Sequence, residues 1–227
     1  MAKIDIKRTE LVWKGKYDEE GKLVPLEKPG PYPFQIVEVV NTPRIGQSDN
    51  AVQSSLFDTW KGNEGATFED GWKNKLIWGD NKFVMSSLLE KFAGKVDLIY
   101  IDPPFATGAD FKTNVEIGDN KVTKEHSILE EKAYRDTWGD GLDSFLPWIY
   151  ERLQIMKELL SQKGSIYIHL DWHAGQYVKP IIDEIFGYNY FRNEIIWHYR
   201  TGNLAKNQFQ RKHDNIFFYS KSNELTL

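Results

Sequence analysis

The sequence predicts an α/β fold with a mostly parallel sheet, and three observations support this. Val96–Ile101 is an apolar run with the length and β-branched content of a strand buried on both faces. Strand-like and helix-like segments alternate between residues 75 and 200. Acids stand where three predicted strands end, at Asp80, Asp102 and Asp171. Because open α/β sheets bind ligands at the carboxyl ends of their strands, we expect the functional site there.

Composition narrows the class of protein. The chain has 227 residues, of which 41% are hydrophobic and 14% aromatic, enough for one globular domain with a sizeable core. It has no Cys, which excludes disulfides and thiolate metal sites and fits a reducing cytoplasm; no metal site is expected. No signal-peptide core or membrane-spanning apolar run is present, so we expect a cytoplasmic protein. Its net charge of −4 means that binding to nucleic acid requires a local basic patch or a part that this chain lacks.

Residues 1–70 are predicted to form an N-terminal extension or arm that packs on a main domain covering residues 71–227. Leu11–Gly15 and Phe34–Val40 have the composition of short strands, and the turn-rich Glu27–Pro33 separates them. An arm that contacts nucleic acid or mediates dimerisation is the alternative.

The main domain is predicted to open with a strand, a helix and a second strand. Lys75–Gly79 has the pattern of a short strand, a helix follows over Lys82–Phe92, and Gly94 ends it before the apolar run described above. Such a short crossover predicts parallel strands, which would bring Asp80 to the same sheet edge as Asp102. Asp80 is equally well explained as the N-cap of the helix.

Residues 106–141 are polar and charged with little periodicity, and we predict a long loop above the sheet. Tyr134–Trp138 within it is a candidate for contacting the substrate. A solvated loop with one tucked Trp explains the same residues.

Asp143–Ser161 is predicted to be an amphipathic helix, with Asp143 as its N-cap and Pro147 near its first turn. Its apolar face consists of Phe145, Ile149, Leu153, Met156 and Leu160.

Ser165–Asp171 is predicted to be the next strand, after a turn at Gly164. His169 alternates within it and is interpreted as a packed core His, since no partner at metal or triad spacing is evident. Asp171 ends the strand. It fits the functional edge and the N-cap of a helix over His173–Phe186 equally well.

Asn193–Arg200 and Asn215–Lys221 are aromatic-rich and predict an antiparallel pair of strands at the far side of the sheet. The most basic stretch of the chain lies between them. Its cations could bind phosphates, the usual positioning contacts on DNA, or form an ordinary solvated face. The candidate phosphate ligands are Arg200, Lys206, Arg211 and Lys212.

Asp102-Pro103-Pro104-Phe105 has the properties needed to activate an amino group on a base. Each proline fixes φ, removes a backbone donor and extends the residue before it. The result is a rigid carboxylate, carbonyl groups without competing N–H donors, and a ring. An exocyclic amine is a poor nucleophile because its lone pair is delocalised. Acceptors for its N–H groups help as positive charge develops on nitrogen, and a ring holds the base by stacking. The alternative is a Pro-Pro turn with Asp102 as a cap.

This motif, followed by Ala106–Phe111, resembles the catalytic motif of DNA amino-methyltransferases, specifically the permuted β group that includes type III modification subunits. The resemblance runs from Asn74 to Glu224. Ala106 departs from it, since many relatives carry Asn there. The resemblance implies a Rossmann-like methyltransferase fold and S-adenosylmethionine as the methyl donor.

The resemblance also implies roles for individual residues. Asp102 and the Pro103 carbonyl would bind the target amine, and Phe105 would stack on a base flipped out of the duplex, with Pro104 completing the motif. An Asp at the first motif position points to adenine N6. The implied cofactor contacts are Asp80, Asn81 and Asp102.

The family's cofactor-binding glycine loop, Phe-x-Gly-x-Gly, has no good match. Trp138-Gly139-Asp140-Gly141 is nearest, but it follows no apolar strand. In the permuted group this loop lies near the C-terminus, beyond a target-recognition segment. The resemblance therefore implies an incomplete fold, the catalytic front portion of a longer, truncated or split enzyme. Besides DNA, we expect a complementing chain that carries the loop and the recognition segment as a partner. A dimer is also expected.

The sequence thus predicts a DNA adenine-N6 methyltransferase of a restriction-modification system. Two alternatives remain open: a cytosine-N4 methyltransferase, and an inactive remnant that keeps only DNA or subunit binding. Protein amide methylation is disfavoured, because that chemistry usually presents Asn where this chain has Asp102. A generic nucleotide-binding protein would leave Pro-Pro-Phe unexplained.

Overall fold

The structure is a computed structural model that describes residues 9–35, 75–103, 141–200, 207 and 209–224, and the backbone alone of residues 113–117 and 120–124. It divides into two compact units, one formed by Met1–Glu27 and Lys91–Leu227 and the other by Lys28–Glu90. Within the described residues, no helix has the length and apolar composition needed to cross a membrane.

The larger unit is built on a four-stranded sheet with the order β1-β4-β6-β5. The strands are β1 Val96–Ile101, β4 Leu160–Asp171, β5 Phe191–His198 and β6 His213–Ser220. β1 and β4 are parallel, whereas β6 is antiparallel to both β4 and β5. The fold is α/β as predicted, with a mixed sheet in its described part. The expected antiparallel pair at the far side is present as β5 and β6.

A second, two-stranded antiparallel sheet lies within the region predicted to be loop. It consists of β2 Thr113–Ile117 and β3 Asn120–Lys124. The prediction of an unstructured connection was therefore wrong here. The sequence does carry the signal: two short alternating segments flank Gly118-Asp119, a pair typical of hairpin turns. The predicted substrate-contacting segment Tyr134–Trp138 lies outside the described residues.

Three helices of eight or more residues are described: α1 Asn81–Phe92, α2 Leu142–Leu159 and α3 Gly175–Phe186. All three were predicted within two residues of these bounds. Asp80 caps α1, because its Oδ1 accepts the Lys82 N–H at 2.7 Å. α1 ends before Gly94, whose φ of +70° is one that glycine adopts without strain. α2 differs from the prediction at its start, where Gly141 precedes the helix and no side chain caps it.

The core lies between one face of the sheet and the helices α2 and α3. On α2, Phe145, Ile149 and Leu153 are fully buried, as the helical spacing predicts. On the sheet, alternate residues of β4 face these helices and are fully buried; they are Ile166, Ile168 and Leu170. Tyr219 of β6 shares this face, and its hydroxyl donates a 2.6 Å hydrogen bond to Asp183 of α3.

The opposite face of the sheet is more exposed, and this corrects the prediction for β1. Leu98 and Tyr100 of β1 expose 59% and 56% of their surface. The strand was expected to be buried on both faces. In the described part of the chain β1 is instead the end strand of its sheet, paired with β4 alone.

The segment expected to pair with β1 is not a strand. Residues 75–80 have no regular structure, with Leu76 fully exposed and Trp78 85% exposed. The predicted strand–helix–strand unit around α1 is therefore not formed. The parallel connection occurs one step later, from β1 through α2 to β4.

Residues 9–27 pack against α2 and α3 without forming the predicted strand at Leu11–Gly15. Lys16 is buried, and its Nζ lies 2.7 Å from Glu184 Oε2 of α3 and 2.5 Å from Glu10 Oε2. The Trp13 ring meets Tyr150 of α2 edge-on at 5.0 Å between ring centroids. Of the second predicted strand, Phe34 and Gln35 are not in a strand and residues 36–40 lie outside the described residues.

Candidate functional site

Three carboxylates meet at one edge of the four-stranded sheet. Asp102 directly follows β1, and Asp171 is the last residue of β4. Asp214, the second residue of β6, pairs with Asp171 across the antiparallel ladder. Because β1 and β4 run parallel and end together, we call this side the carboxyl edge. It is the side at which the sequence predicts the functional site.

Asp102 is directed to solvent at this edge, with 57% of its side chain exposed. Pro103, which follows it, is buried. A buried proline with a fixed φ holds the end of the strand, while the carboxylate before it remains accessible to a ligand. Pro104 and Phe105 lie outside the described residues.

His169 of β4 lies beside Asp102 and is not part of the core, so its interpretation as a packed core His was wrong. Its Nδ1 is 4.0 Å from Asp102 Oδ1 and 2.8 Å from the Tyr100 hydroxyl oxygen. Its Nε2 is 3.4 Å from Asp214 Oδ2. The period of two along β4 explains the position: His169 shares a face with Tyr167 and Asp171, opposite the aliphatic residues under the helices.

The hydrogen bonds around His169 indicate where its ring proton lies. Partial burial, and then the negative charge of Asp102, raise the pKa of Tyr100 above its usual 10.0. Tyr100 therefore keeps its proton at neutral pH and can donate it to Nδ1. Because the Asp214 carboxylate can only accept a hydrogen bond, we assign the proton of the neutral ring to Nε2 and the acceptor role to Nδ1.

Asp214 extends this chain of contacts to the segment after β5. The Tyr199 hydroxyl lies 3.4 Å from Asp214 Oδ1. Burial, and then the charge of Asp214, raise the pKa of Tyr199, so it too remains a neutral donor. We call Tyr100, His169, Asp214 and Tyr199 the edge network. Nothing in the sequence spacing brings these four together, since they come from three strands and a connecting segment.

Asp171 is used to hold the turn before α3. Its Oδ1 accepts the backbone N–H groups of His173 and Ala174, each at 3.1 Å, and its Oδ2 contacts the His173 ring. The residue is buried. The helix begins after Ala174 and no side chain caps it, so Asp171 holds the turn before α3 and is not the predicted N-cap.

Three of the predicted phosphate ligands lie just beyond the carboxyl edge. Arg200 follows the end of β5 and is exposed; Arg211 precedes β6, is exposed, and has its guanidinium carbon 4.0 Å from the centre of the Trp172 ring. Lys212 is half-buried, and its carbonyl accepts the Tyr199 N–H at 3.1 Å. The pairing of His198 with His213 puts both segments at the edge that carries Asp102. Lys206 lies outside the described residues.

Asp80 and Asn81 stand at the start of α1, in the other compact unit. The argument that brought Asp80 to the carboxyl edge required a strand before it, and that strand is not formed. A cofactor role for the two residues stays a prediction. Among the described side chains, no group of three His, Cys, Asp or Glu is arranged to hold a metal ion.

Comparison with known proteins identifies the family. Residues 96–226 match the model of the DNA methylase family, a span that begins at the first residue of β1 and includes the whole edge network. The chain is similar to the Mod subunit of the type III restriction-modification enzyme EcoP15I from Escherichia coli, at 34% identity over 66% of this chain and 24% of the relative. It is also similar to the type II methyltransferase M.EcaI from Enterobacter cloacae, at 34% identity over 65% of this chain and 29% of the relative.

The chain thus spans about a quarter of the length of these curated relatives. Among solved structures, the PvuII DNA methyltransferase, described as cytosine-N4-specific, has 15% identity and a TM-score of 0.38 over 61% of this chain and 47% of that one. That likeness carries no weight here. The family match covers more than half of the sequence, and the chain belongs to the DNA methylase family.

Proposed function

We propose that this chain carries the catalytic acid of a DNA adenine-N6 methyltransferase, the residue that binds the target amine, and that the enzyme uses S-adenosylmethionine. One observation carries the proposal. Asp102, the first residue of the Asp-Pro-Pro-Phe motif, presents an exposed carboxylate at the carboxyl end of β1, inside the span that matches the family. A carboxylate turned into the core could not reach a base.

The chemistry follows from what a fixed acceptor does to an amine. The Asp102 carboxylate and the Pro103 carbonyl accept the two N–H groups of the exocyclic amine. This favours a tetrahedral nitrogen whose lone pair is available for bonding. Positive charge then develops on the nitrogen, and the negative oxygen stabilises it more in the transition state than in the ground state. Phe105 supplies the stacking surface for the flipped base.

The groups at the carboxyl edge fit the proposed cofactor. S-adenosylmethionine supplies an electrophilic methyl group on a positively charged sulfur, and it also carries an ammonium group and ribose hydroxyls. The exposed carboxylate of Asp102 is an acceptor suited to those donors. The further contacts that we propose are Asp80 and Asn81, at the start of α1.

DNA is the proposed substrate, and Arg200, Lys206, Arg211 and Lys212 are the proposed phosphate ligands. Phosphate contacts position a duplex without reading its sequence, which suits cations beside a catalytic edge. The relatives of this chain include Mod subunits of type III restriction-modification enzymes. We propose that this chain likewise serves a restriction-modification system, with a complementing chain or segment supplying target recognition.

The direct test replaces Asp102 by Asn in the full-length protein as encoded. Asp102→Asn keeps the shape of the side chain and removes its charge. We expect loss of methyl transfer from labelled S-adenosylmethionine to DNA, with DNA binding largely retained. Asp97→Asn is the matched control, because Asp97 is an exposed acid at the other end of the same strand. Full activity of Asp102→Asn would refute the proposed role.

A second measurement separates the candidate bases. Modified DNA is digested to nucleosides and the methylated nucleoside is identified by mass. N6-methyladenine is the expected product. N4-methylcytosine would move the enzyme to the other branch of the family, and a protein that binds DNA but leaves it unmodified would be a remnant.

A further inference from the structure

The proposed reaction gives no role to His169, yet its ring lies beside Asp102, which takes part in that reaction. Its ring is held at both nitrogens, by Tyr100 at 2.8 Å and by Asp214 at 3.4 Å. The same Nδ1 that faces Tyr100 lies 4.0 Å from Asp102 Oδ1. The ring is 17% exposed, so it is shielded from bulk water without being buried in the core.

We propose that His169 receives the proton that Asp102 takes from the target amine, an inference that rests on the proposed function. Methyl transfer forms a bond between nitrogen and the methyl carbon and breaks the bond between that carbon and sulfur, whose electron pair stays on sulfur. As this bond forms, the nitrogen becomes cationic and loses one proton in the same step. That proton goes to the Asp102 carboxylate and from there to His169 Nδ1, which leaves Asp102 ionised and the ring as an imidazolium.

The surroundings of the ring favour this transfer. Asp102, which follows β1, and Asp214 of β6 face the His169 ring from two sides. Asp171 lies two residues beyond His169 on the same face of β4. These carboxylates can accept hydrogen bonds from the N–H groups of an imidazolium. A small rotation of the exposed Asp102 side chain, or one bridging water, closes the 4.0 Å gap.

Tyr100 is suited to both states of the ring. Its hydroxyl donates to Nδ1 while the ring is neutral, and it can rotate to accept the Nδ1 proton once the ring is charged. Tyr100 is therefore a support that need not change its own protonation. On this account His169 is a positioning residue, since it acts on the reaction through Asp102 and does not touch the base.

The test measures single-turnover methyl transfer by the full-length protein as encoded, at saturating DNA, between about pH 5 and pH 9. The lower part of this pH range is where histidines change charge. Wild-type protein is compared with His169→Gln, which cannot accept a proton, and with His169→Ala. His198→Gln is the matched control, because His198 is an exposed histidine at the end of β5. Circular dichroism and the KM for DNA report whether the variants fold and bind.

We expect His169→Gln to slow the single-turnover step about 100-fold with an unchanged KM for DNA. The wild-type rate should decrease at low pH, because an imidazolium cannot accept another proton. This decrease should be absent in His169→Gln. Added imidazole should restore part of the His169→Ala rate, in proportion to its neutral form.

Two results would overturn the inference while leaving the proposed function intact. One is a wild-type rate and pH profile in His169→Gln. The other is a slow His169→Ala that keeps the acid limb and does not respond to imidazole, which would indicate a structural role only. A different result, a wild-type protein without methyl transfer or an active Asp102→Asn variant, would refute the proposed function itself and this inference with it.

Discussion

Lys16 and Glu184 are 168 residues apart in sequence, yet the Lys16 ammonium lies 2.7 Å from the Glu184 carboxylate. Both side chains are almost wholly shielded from solvent. Glu10 approaches the same ammonium, and the rings of Trp13, Tyr17 and Tyr150 lie around it. This ion pair joins the N-terminal residues 9–27 to α3. The packing of this segment on the main domain was predicted, but the sequence did not reveal the ion pair that holds it.

We therefore expect Lys16→Met to destabilise the fold by about 3–5 kcal/mol, because it leaves the Glu184 carboxylate buried without its cation. Urea unfolding followed by circular dichroism measures the loss. Lys14→Met is the control, since Lys14 is exposed two residues away. The double variant Lys16→Met/Glu184→Gln should recover part of the stability. Equal midpoints for Lys16→Met and Lys14→Met would contradict the role of the pair.

Gly164 permits a close approach of β1 to β4, and we expect Gly164→Ala to destabilise the protein. A Cβ there would lie 2.8 Å from the Val96 carbonyl oxygen and 3.0 Å from a Leu160 methyl group. Relieving that overlap requires a backbone shift, at a cost of about 1–3 kcal/mol. Gly175→Ala is the control, because its Cβ would meet nothing closer than 3.6 Å. Thermal unfolding of the two variants should differ by several degrees, and similar melting temperatures would argue against tight packing at Gly164.

Tyr219 makes the fold less stable as the pH rises in the alkaline range. Burial, and then its hydrogen bond to Asp183, raise the pKa of Tyr219 far above its usual 10.0. Above about pH 10 the unfolded chain loses this proton while the folded chain keeps it. Stability therefore decreases as pH rises, by up to about 1.4 kcal/mol per pH unit for one proton.

The measurement is the urea midpoint between about pH 9 and pH 11 for wild-type protein and Tyr219→Phe. The variant should be less stable at neutral pH, by about 1 kcal/mol for the lost hydrogen bond. It should then lose less stability as the pH rises. Tyr177→Phe, at a 47% exposed tyrosine of α3, serves as the control. If the urea midpoints of wild type and Tyr219→Phe depended on pH in parallel, the Tyr219 proton would not be the cause of the lost stability.

Arg211 should contribute a phosphate contact if DNA lies along the carboxyl edge. We expect Arg211→Gln to weaken binding to duplexes of any sequence by a similar factor, and to reduce the slope of log affinity against log salt by about 1. Fluorescence anisotropy at several salt concentrations measures both. Lys163→Gln is the control, since Lys163 is exposed near the opposite end of β4. A weaker affinity with an unchanged salt slope would mean that Arg211 acts by stacking on Trp172.

The helices and the antiparallel pair could be predicted from the sequence because their signals are local. Phe145, Ile149 and Leu153 recur at helical spacing and are buried on one face of α2. The position of Asp102 could be predicted for a similar reason, since two prolines end the strand immediately after it.

The exposure of β1 could not be predicted, because it depends on which strands lie beside it. The same apolar run fits a central strand and an end strand, and residues 75–80 did not provide the second neighbour. His169 was misjudged for a related reason. Strand alternation gives two faces but does not say which one the helices cover, and the partners Tyr100 and Asp214 come from elements far apart in sequence.

The side of the sheet away from Asp102 has ties of its own between the strands that do not involve the edge network. There Gly164 lets β1 and β4 touch, Lys221 donates its N–H to the Gly164 carbonyl at 2.9 Å, and Arg192 binds Ser220 at 2.7 Å. Such a division allows evolution to exchange polar residues near the acid, and so alter chemistry or target choice, without sacrificing the anchorage that keeps the strands in register. Tolerance to mutation should accordingly differ between the two ends of each strand.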